Sequence, residues 1–286
     1  MKKLLALALA VLMLASLVAC GKKDEENNDN NQPQNTEPVV EDLVFENFKY
    51  AVNESGMYEI TGYIPTGIDL VSVTVPAAIE GRPVTGIGES AFKASKYLKE
   101  IILPESLVYI DDYAFYDCDY LTSVKIPDSV TTIGKGAFQD CNVLVTVTLS
   151  QALNTIEEYA FMNCAVLKDV VLPAGLQTIA AGAFYNCDAL TAIVIPESVR
   201  KLGDAAFHEC SNLATITVPG TIPATIPVLD KNGQPMKDEN GKEIQQNVFG
   251  NSLFSKCAAE LTVNTPADSA FAKYVVENEY NIKPAA

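Results

Sequence analysis

Histidine and tryptophan are nearly missing from this 286-residue sequence, which has one histidine, His208, and no tryptophan. Zinc sites and Ser-His-Asp or Cys-His catalysis use imidazole, so a single histidine leaves little room for either. The G-x-S-x-G, P-loop and H-E-x-x-H motifs are absent as well. The lack of tryptophan counts against carbohydrate binding, although tyrosine can serve as a stacking platform. We therefore expect no enzyme, no metal site and no cofactor.

Positive charge is also scarce. The chain has 20 Lys and Arg against 36 Asp and Glu, which gives a formal net charge of −16. Such a surface repels nucleic-acid phosphates and anionic lipid head groups. We therefore expect no nucleic-acid partner.

The first 19 residues have the pattern of an export signal. A basic start, Met1-Lys2-Lys3, precedes an apolar run that is too short to span a bilayer. The run ends Leu17-Val18-Ala19-Cys20-Gly21, which resembles the lipobox of bacterial lipoproteins. That resemblance implies cleavage before Cys20 and attachment of a lipid to its thiol. The alternative is an ordinary secretory signal that leaves a free thiol.

Residues 20–42 are polar and acidic, with few large apolar side chains. Such a segment cannot offset the entropy of becoming ordered, so we expect a disordered tether.

One 23-residue unit recurs six times within residues 84–219. Its invariant residue is phenylalanine preceded by alanine, at Phe92, Phe115, Phe138, Phe161, Phe184 and Phe207. Leucine follows six residues later, and aliphatic residues follow at nine and eleven, so the unit reads L-x-x-I-x-I. Proline comes twelve residues after Phe in five units, and Ser150 takes its place in the other. A repeat of this length predicts a stack of coils with one short strand per coil.

The stretch Leu121 to Cys141, LTSVKIPDSVTTIGKGAFQDC, resembles the unit of BspA-like leucine-rich repeats, L-x-x-I-x-I-P-x-S-V-x-x-I-G-x-x-A-F-x-x-C, with Val124 in place of Ile. The resemblance implies a leucine-rich-repeat solenoid, mostly β with short helical turns, that winds as a right-handed coil of 23-residue repeats. Members of that family include bacterial surface adhesins, proteins that bind host or bacterial partners, and many of unassigned role. A shared fold does not by itself supply a site.

The flanking regions predict caps. Residues 43–83 carry three alternating segments, 45–50, 57–61 and 71–76, which we interpret as strands of an N-terminal cap and first coil. Residues 220–286 begin with an insertion, 228–244, whose two Asn-Gly pairs predict hairpin turns rather than calcium loops. A degenerate repeat follows at Phe254, and a short amphipathic helix, 270–277, is expected to close the stack.

Five cysteines lie three residues after the repeated phenylalanine, at Cys118, Cys141, Cys164, Cys187 and Cys210. Stacked coils would place them in a column in which parallel side chains keep the Cβ atoms too far apart for disulfides. We expect buried free thiols that behave as small hydrophobic groups.

Two surfaces are candidate binding sites for a protein or peptide. The first is the outward row ten residues after each Phe, formed by Ile102, Lys125, Thr148, Val171, Val194 and Thr217. It is flat and lightly charged, although a solvated strand face would have a similar composition. The second is a group of tyrosines that could instead pack beneath the N-terminal cap: Tyr97, Tyr109, Tyr113, Tyr116 and Tyr120.

These patterns predict a monomeric, lipid-anchored bacterial surface protein whose solenoid binds a protein ligand, in adhesion or attachment to host or neighbouring cells. A structural spacer or envelope scaffold without a ligand is the alternative. A hydrolase sited in the C-terminal insertion ranks third.

Overall fold

The structure, a computed structural model, describes residues 43–67, 71–257, 261–278, 280 and 282–284, which belong to one compact unit beginning at Val40. The predicted signal peptide, Cys20 and the tether lie outside the described residues. No helix in the described ranges has the length and hydropathy needed to cross a bilayer.

Twenty short strands and one helix make up the described fold. The helix, α1, spans Ala270–Glu277. The strands are β1 (Leu43–Phe45), β2 (Phe48–Val52), β3 (Tyr58–Tyr63), β4 (Val71–Thr74), β5 (Ala78–Ile79), β6 (Arg82–Ile87), β7 (Leu98–Ile102), β8 (Tyr109–Ile110), β9 (Ser123–Lys125), β10 (Thr132–Ile133), β11 (Thr146–Thr148), β12 (Thr155–Ile156), β13 (Thr178–Ile179), β14 (Ala192–Val194), β15 (Lys201–Leu202), β16 (Thr215–Thr217), β17 (Thr225–Pro227), β18 (Gln245–Asn247), β19 (Leu261–Asn264) and β20 (Ile282–Pro284).

Each repeat forms one coil of a solenoid and pairs with its neighbours through residues 23 positions apart. In the long sheet, Thr132 pairs in parallel with Tyr109 on one side and with Thr155 on the other. That sheet has the order β1-β2-β3-β6-β8-β10-β12-β13-β15, and β5 pairs with β6. The L-x-x-I-x-I segments form a second face that is divided into two sheets, β11-β9-β7-β4 and β14-β16-β19-β20. The predicted repeat solenoid is therefore confirmed.

Stacked phenylalanine rings form the centre of the core. Neighbouring rings from Phe92 to Phe207 lie 5.0–5.4 Å apart and within 11° of parallel. The rings are fully or almost fully buried, as are the repeated leucines and the inward aliphatic residues. Each such side chain contributes roughly 1.5–3 kcal/mol when it leaves water, but no coil can bury its own set alone.

The Ala-Phe segments are chains of turns that do not extend into helices. Two residues in each segment have positive φ, one two positions before Phe and one two positions after it. At Phe138 these are Gly136, with φ of 57°, and Asp140, with φ of 61°. Alternating left-handed residues prevent a helix and point every second N–H group at the next coil, as in the bond from Phe138 N to Ala160 O.

The N-terminal cap differs from the prediction at one point. Residues 45–50 are not a single strand, because a turn at Glu46, with φ of 52°, separates β1 from β2. The three antiparallel strands β1, β2 and β3 then cover the first coil, and the ring of Tyr63 stacks on Phe92 at 5.9 Å. The segment 71–76 behaves as the strand of an earlier coil, since Val73 pairs with Ile101.

At the other end, the insertion folds as hairpins, as the Asn-Gly pairs predict. Gly233 and Gly241 take the positive φ values of 76° and 77° that such turns require. Three backbone bonds join the hairpins in a ring, from Val228 N to Ile244 O, from Ile244 N to Met236 O and from Met236 N to Val228 O. Helix α1 closes the stack and buries Phe271 and Val275, with the Ser269 hydroxyl accepting from Ala272 N.

Candidate functional site

The row predicted on the strand face is largely exposed. Val171 is 77% exposed, Val194 62% and Ile102 57%, whereas Thr217 is half-buried. Lys125 and Thr148 are exposed as well, and Lys125 carries the only charge in the row. The row does not lie on one continuous sheet, because the two sheets of this face are separate.

The interruption lies at residues 169–171. A single bridge, between Thr146 and Asp169, links this segment to the preceding coil, and no strand pairing links it to β14 on the following coil. The resulting groove has a volume of about 350 Å³ and is lined by Val170, Val171, Leu172, Ala174, Ala192, Ile193, Val194 and Pro196. The groove is apolar and contains no charged residue.

A local sequence change accompanies the interruption. Two residues after the strand-ending proline, Ser106 and Ser198 donate to the preceding coil, at 2.7 Å to Val84 O and 2.5 Å to Leu176 O. The residue that follows Pro173 at this distance is Gly175, which cannot make that bond. In the coil before it, buried Ser150 replaces proline and donates to Val130 O at 2.6 Å. The coil of Gly175 thus lacks this bond to the coil before it, and the equivalent hydroxyl of Ser129 also has no partner. Across the groove itself, Ser198 still ties the two coils.

The five predicted tyrosines do not form one cluster. Tyr113 and Tyr116 contact each other edge to face at 6.0 Å, and Lys93 Nζ lies 5.0 Å from the Tyr116 ring. A hydrogen bond to Asp140 raises the pKa of Tyr116. Tyr97 and Tyr120 occupy the same place in successive repeats, five residues after Phe.

Tyr109 packs beneath the N-terminal cap, which was the alternative role considered for the tyrosines. Its hydroxyl donates to Glu59 Oε2 and accepts from Asn53 Nδ2 at 3.1 Å. Burial, and next the hydrogen bond with Glu59, raise the pKa of Tyr109. The hydroxyl is already engaged and Tyr109 is half-buried, so Tyr109 is poorly placed to contact a ligand.

Sequence reasoning missed a second exposed row. The residues five after Phe in the next two coils are Val143 and Val166, which are 37% and 36% exposed and continue the line of Tyr97 and Tyr120. The repeat spacing alone would have revealed this row, because all four residues occupy the same position of the unit.

The cysteine column is buried and its thiols are free, as predicted, but each thiol also donates a hydrogen bond. Cys164 Sγ lies 3.2 Å from Phe138 O of the preceding coil, and Cys187 Sγ lies 3.1 Å from Phe161 O. The same bond recurs at Cys118, Cys141, Cys210 and the less buried Cys257. Burial raises the pKa of Cys141, Cys164, Cys187 and Cys210, and raises that of Cys257 to about 12. These thiols therefore make poor nucleophiles and metal ligands.

His208 is partly buried on the turn that follows the repeated phenylalanine. Its side chain is 18% exposed and stacks on Tyr185 at 5.1 Å, with Nε2 3.8 Å from Glu209 Oε1. No hydroxyl or thiol among the described residues is hydrogen-bonded to this imidazole. The contact with Glu209 does not build a nucleophile and base pair.

The aspartates of the insertion serve its turns. Asp230 Oδ1 accepts from Asn232 N at 2.8 Å and from Gln234 N at 2.9 Å, and these backbone bonds lower the pKa of Asp230. Asp238 Oδ1 accepts from Asn240 N and Lys242 N, each at 2.9 Å. Within the described ranges, no three His, Cys, Asp or Glu side chains are grouped so as to hold a metal ion.

Comparison with known proteins agrees with this geometry. Residues 85–214 match the family described as "BspA type Leucine rich repeat region", in six copies. The chain is similar to a leucine-rich repeat protein of T. pallidum, at 23% identity and a TM-score of 0.47, over 86% of this chain and 100% of that one. It is also similar to a leucine rich cell surface protein from Faecalibacterium prausnitzii A2-165, at 25% identity and a TM-score of 0.47, over 79% of this chain and 70% of that one. No curated protein matches the chain.

The repeats of residues 85–214, slightly less than half of the chain, thus match the BspA-type leucine-rich repeat family. Leucine-rich repeat proteins generally bind protein ligands.

Proposed function

We propose that this protein is exported, anchored by a lipid on Cys20, and binds a protein ligand at the cell surface through its strand face, in adhesion or attachment. The observation that supports the binding role is the apolar groove beside Val171 and Val194. Two adjacent valines that are 77% and 62% exposed are unusual in a surface that is otherwise acidic. Convergent polar groups, which a small-molecule site would need, are absent from its lining.

The groove favours an extended polypeptide as the ligand. β14 has a strand partner on one side only, so its other edge faces the groove. An extended segment can lie across this face, with its apolar side chains against the exposed valines and the lining between them. The groove, Val171 and Val194 therefore form the proposed contact surface, with Ile102, Lys125, Thr148 and Thr217 along the same row.

The test is capture of a partner by the full-length chain from host-matrix and bacterial-surface extracts. A Val171→Glu and Val194→Glu double variant places two charges in the groove and should abolish saturable capture. Val276→Glu is the matched control, because Val276 on α1 is also 77% exposed and lies outside the groove. Equal capture by the wild type and the double variant would place the contact elsewhere, and capture by neither would favour the structural spacer.

Lipid anchoring is tested separately. In bacterial cells fed radiolabelled palmitate, we expect label on the full-length chain and none on the Cys20→Ser variant. Label that persists in the variant would contradict the proposed anchor.

The catalytic alternative has weaker support. We propose that the chain is not an enzyme, since His208 has no nucleophile to activate. Turnover of model hydrolase substrates that is lost in His208→Ala would overturn this view.

A further inference from the structure

A second cleft lies at the C-terminal end of the solenoid, between the base of the insertion and α1. Its volume is about 380 Å³. Asn247 contributes from the end of β18, Phe249 and Asn251 from the seventh coil, and Lys273, Tyr274 and Glu277 from α1. The repeat does not build this cleft, because Phe249 is bridged to Leu202 across 47 residues instead of 23, which adds 24 residues to this coil.

The aromatic wall of the cleft is held rigidly. The Phe249 ring packs against Phe271 at 5.1 Å and against Tyr274 at 5.3 Å. The Tyr274 hydroxyl donates to Gly250 O at 2.7 Å, so the ring cannot turn without losing a bond. At the rim, Asn251 N and Nδ2 lie 2.7 and 3.3 Å from Asp204 Oδ1, which fixes that amide. The cleft is therefore preformed.

Three polar side chains in the cleft are exposed to solvent and stay unpaired within the fold. The side chains of Asn247, Lys273 and Glu277 make no hydrogen bond or ion pair with any residue that the structure describes. Lys273 and Glu277 are one helical turn apart on α1, yet they do not pair with each other. Their charges cancel, so the cleft is close to neutral within a chain of net charge −16.

We propose that this cleft binds a neutral carbohydrate. A sugar hydroxyl both donates and accepts, and it therefore matches carboxamides, an ammonium group and a carboxylate in one site. The cancelled charges favour a ligand without net charge, and the nearby carboxylate of Asp204 disfavours phosphates and other anions. The Tyr274 ring also contacts Phe249, Phe271 and Tyr280, and it adds an aromatic side to the cleft that the apolar part of a sugar can contact. The preference is for a neutral glycan over a nucleotide or an acidic polymer.

The test uses the full-length protein and five neutral trisaccharides: maltotriose, cellotriose, chitotriose, mannotriose and galactotriose. Saturation-transfer NMR and calorimetric titration should show at least one of them binding. Asn247→Ala combined with Glu277→Gln should weaken that binding at least tenfold, since each lost hydrogen bond weakens it roughly fivefold. Lys273→Ala provides an independent variant from a different position of the cleft.

The matched control is Gln246→Ala combined with Glu243→Gln. These residues also carry an amide and a carboxylate, they are exposed on β18 and at the end of the insertion, and they do not line the cleft. It should bind the trisaccharide as the wild type does, and all variants should keep the wild-type melting temperature. Failure of all five sugars to bind at millimolar concentration would overturn the proposal, as would unchanged binding by both cleft variants. Val171→Glu, which tests the strand face, should leave sugar binding intact, so the two proposals can fail independently.

Discussion

The phenylalanine column allows the stability of the solenoid to be tested at a single residue. Phe161 is fully buried in the middle of the column, with its ring 5.4 Å from both Phe138 and Phe184. Phe161→Ala removes the ring while it keeps the backbone bonds of that residue, from Phe161 N to Ala183 O and from Cys187 Sγ to Phe161 O. The loss therefore reports on packing between coils.

The expected loss can be estimated from the contacts. A buried Phe→Ala change costs about 3–5 kcal/mol, because the surroundings collapse only partly into the cavity. Two ring pairs are lost at once, each worth roughly 0.5–1.5 kcal/mol beyond burial, which favours the upper half of that range. We expect the free energy of unfolding to fall by about 4–5 kcal/mol.

Equilibrium unfolding in urea, followed by far-UV circular dichroism, measures this loss. With a slope of about 3 kcal/mol per molar urea, the midpoint should fall by roughly 1.5 M. Tyr120→Ala is the control, because Tyr120 is 47% exposed and should lose less than about 1 kcal/mol. A Phe161→Ala midpoint within about 0.3 M of the control, which corresponds to about 1 kcal/mol, would refute the stacked core.

Three further outcomes follow from the same contacts. Gly203→Ala should destabilise by about 2–3 kcal/mol in urea unfolding, because its Cβ would lie 2.4 Å from Ala181 N, whereas Gly175→Ala meets nothing within 4 Å and should be harmless. At pH 8, iodoacetamide should label Cys257 before the five fully buried cysteines, and peptide mass spectrometry can follow the order of labelling. Cys257 should still react about a thousandfold more slowly than free cysteine, because a pKa of about 12 leaves few thiolates at this pH. Hydrogen bonds from Lys256 and Tyr185 lower the pKa of Glu209. The wild type should therefore be more stable than Glu209→Gln at pH 7, and this difference should disappear as the pH falls below about 4. Thermal melts of both proteins at pH 7 and pH 3 measure the difference.

The period of the sequence was enough to predict the coil and its inward positions, because every coil repeats the same apolar pattern and must bury it against its neighbours. It was also enough for α1, whose described bounds equal the predicted 270–277, and for the hairpins at Asn232-Gly233 and Asn240-Gly241. Turn chemistry at the ends was harder to predict. The alternation in 45–50 suggested one strand, and the tight turn at Glu46 overrode it.

The candidate sites depend on contacts that the sequence pattern does not encode. The apolar spacing of Val170 and Leu172 is the same as in other coils, yet the pairing to β14 is missing. The fate of Tyr109 depended on Asn53 and Glu59, which lie 56 and 50 residues away. The sugar cleft combines side chains from an insertion, a degenerate coil and a capping helix, so no local motif could have shown it.

The interruption of the strand face can itself be tested by repair. One coil later, the hydroxyl of Ser198 donates to Leu176 O. Gly175→Ser would place a serine at the equivalent position, and its hydroxyl should donate to the equivalent carbonyl of Leu153. Gly175 is exposed and an added Cβ meets nothing within 4 Å, so the new bond and the stiffer unfolded chain should together stabilise the protein by about 1 kcal/mol.

The same variant connects stability to binding. The new bond would tie the coil of Gly175 to the coil before it, on the side away from the groove. If the distance between those two coils sets the width of the groove, the repaired chain should melt at a higher temperature and capture less of the partner, whereas Gly175→Ala should change capture little. Higher stability with undiminished capture would show that the groove is held open by another feature of this coil, and the cause would then be sought in Ser150 and its bond to Val130 O.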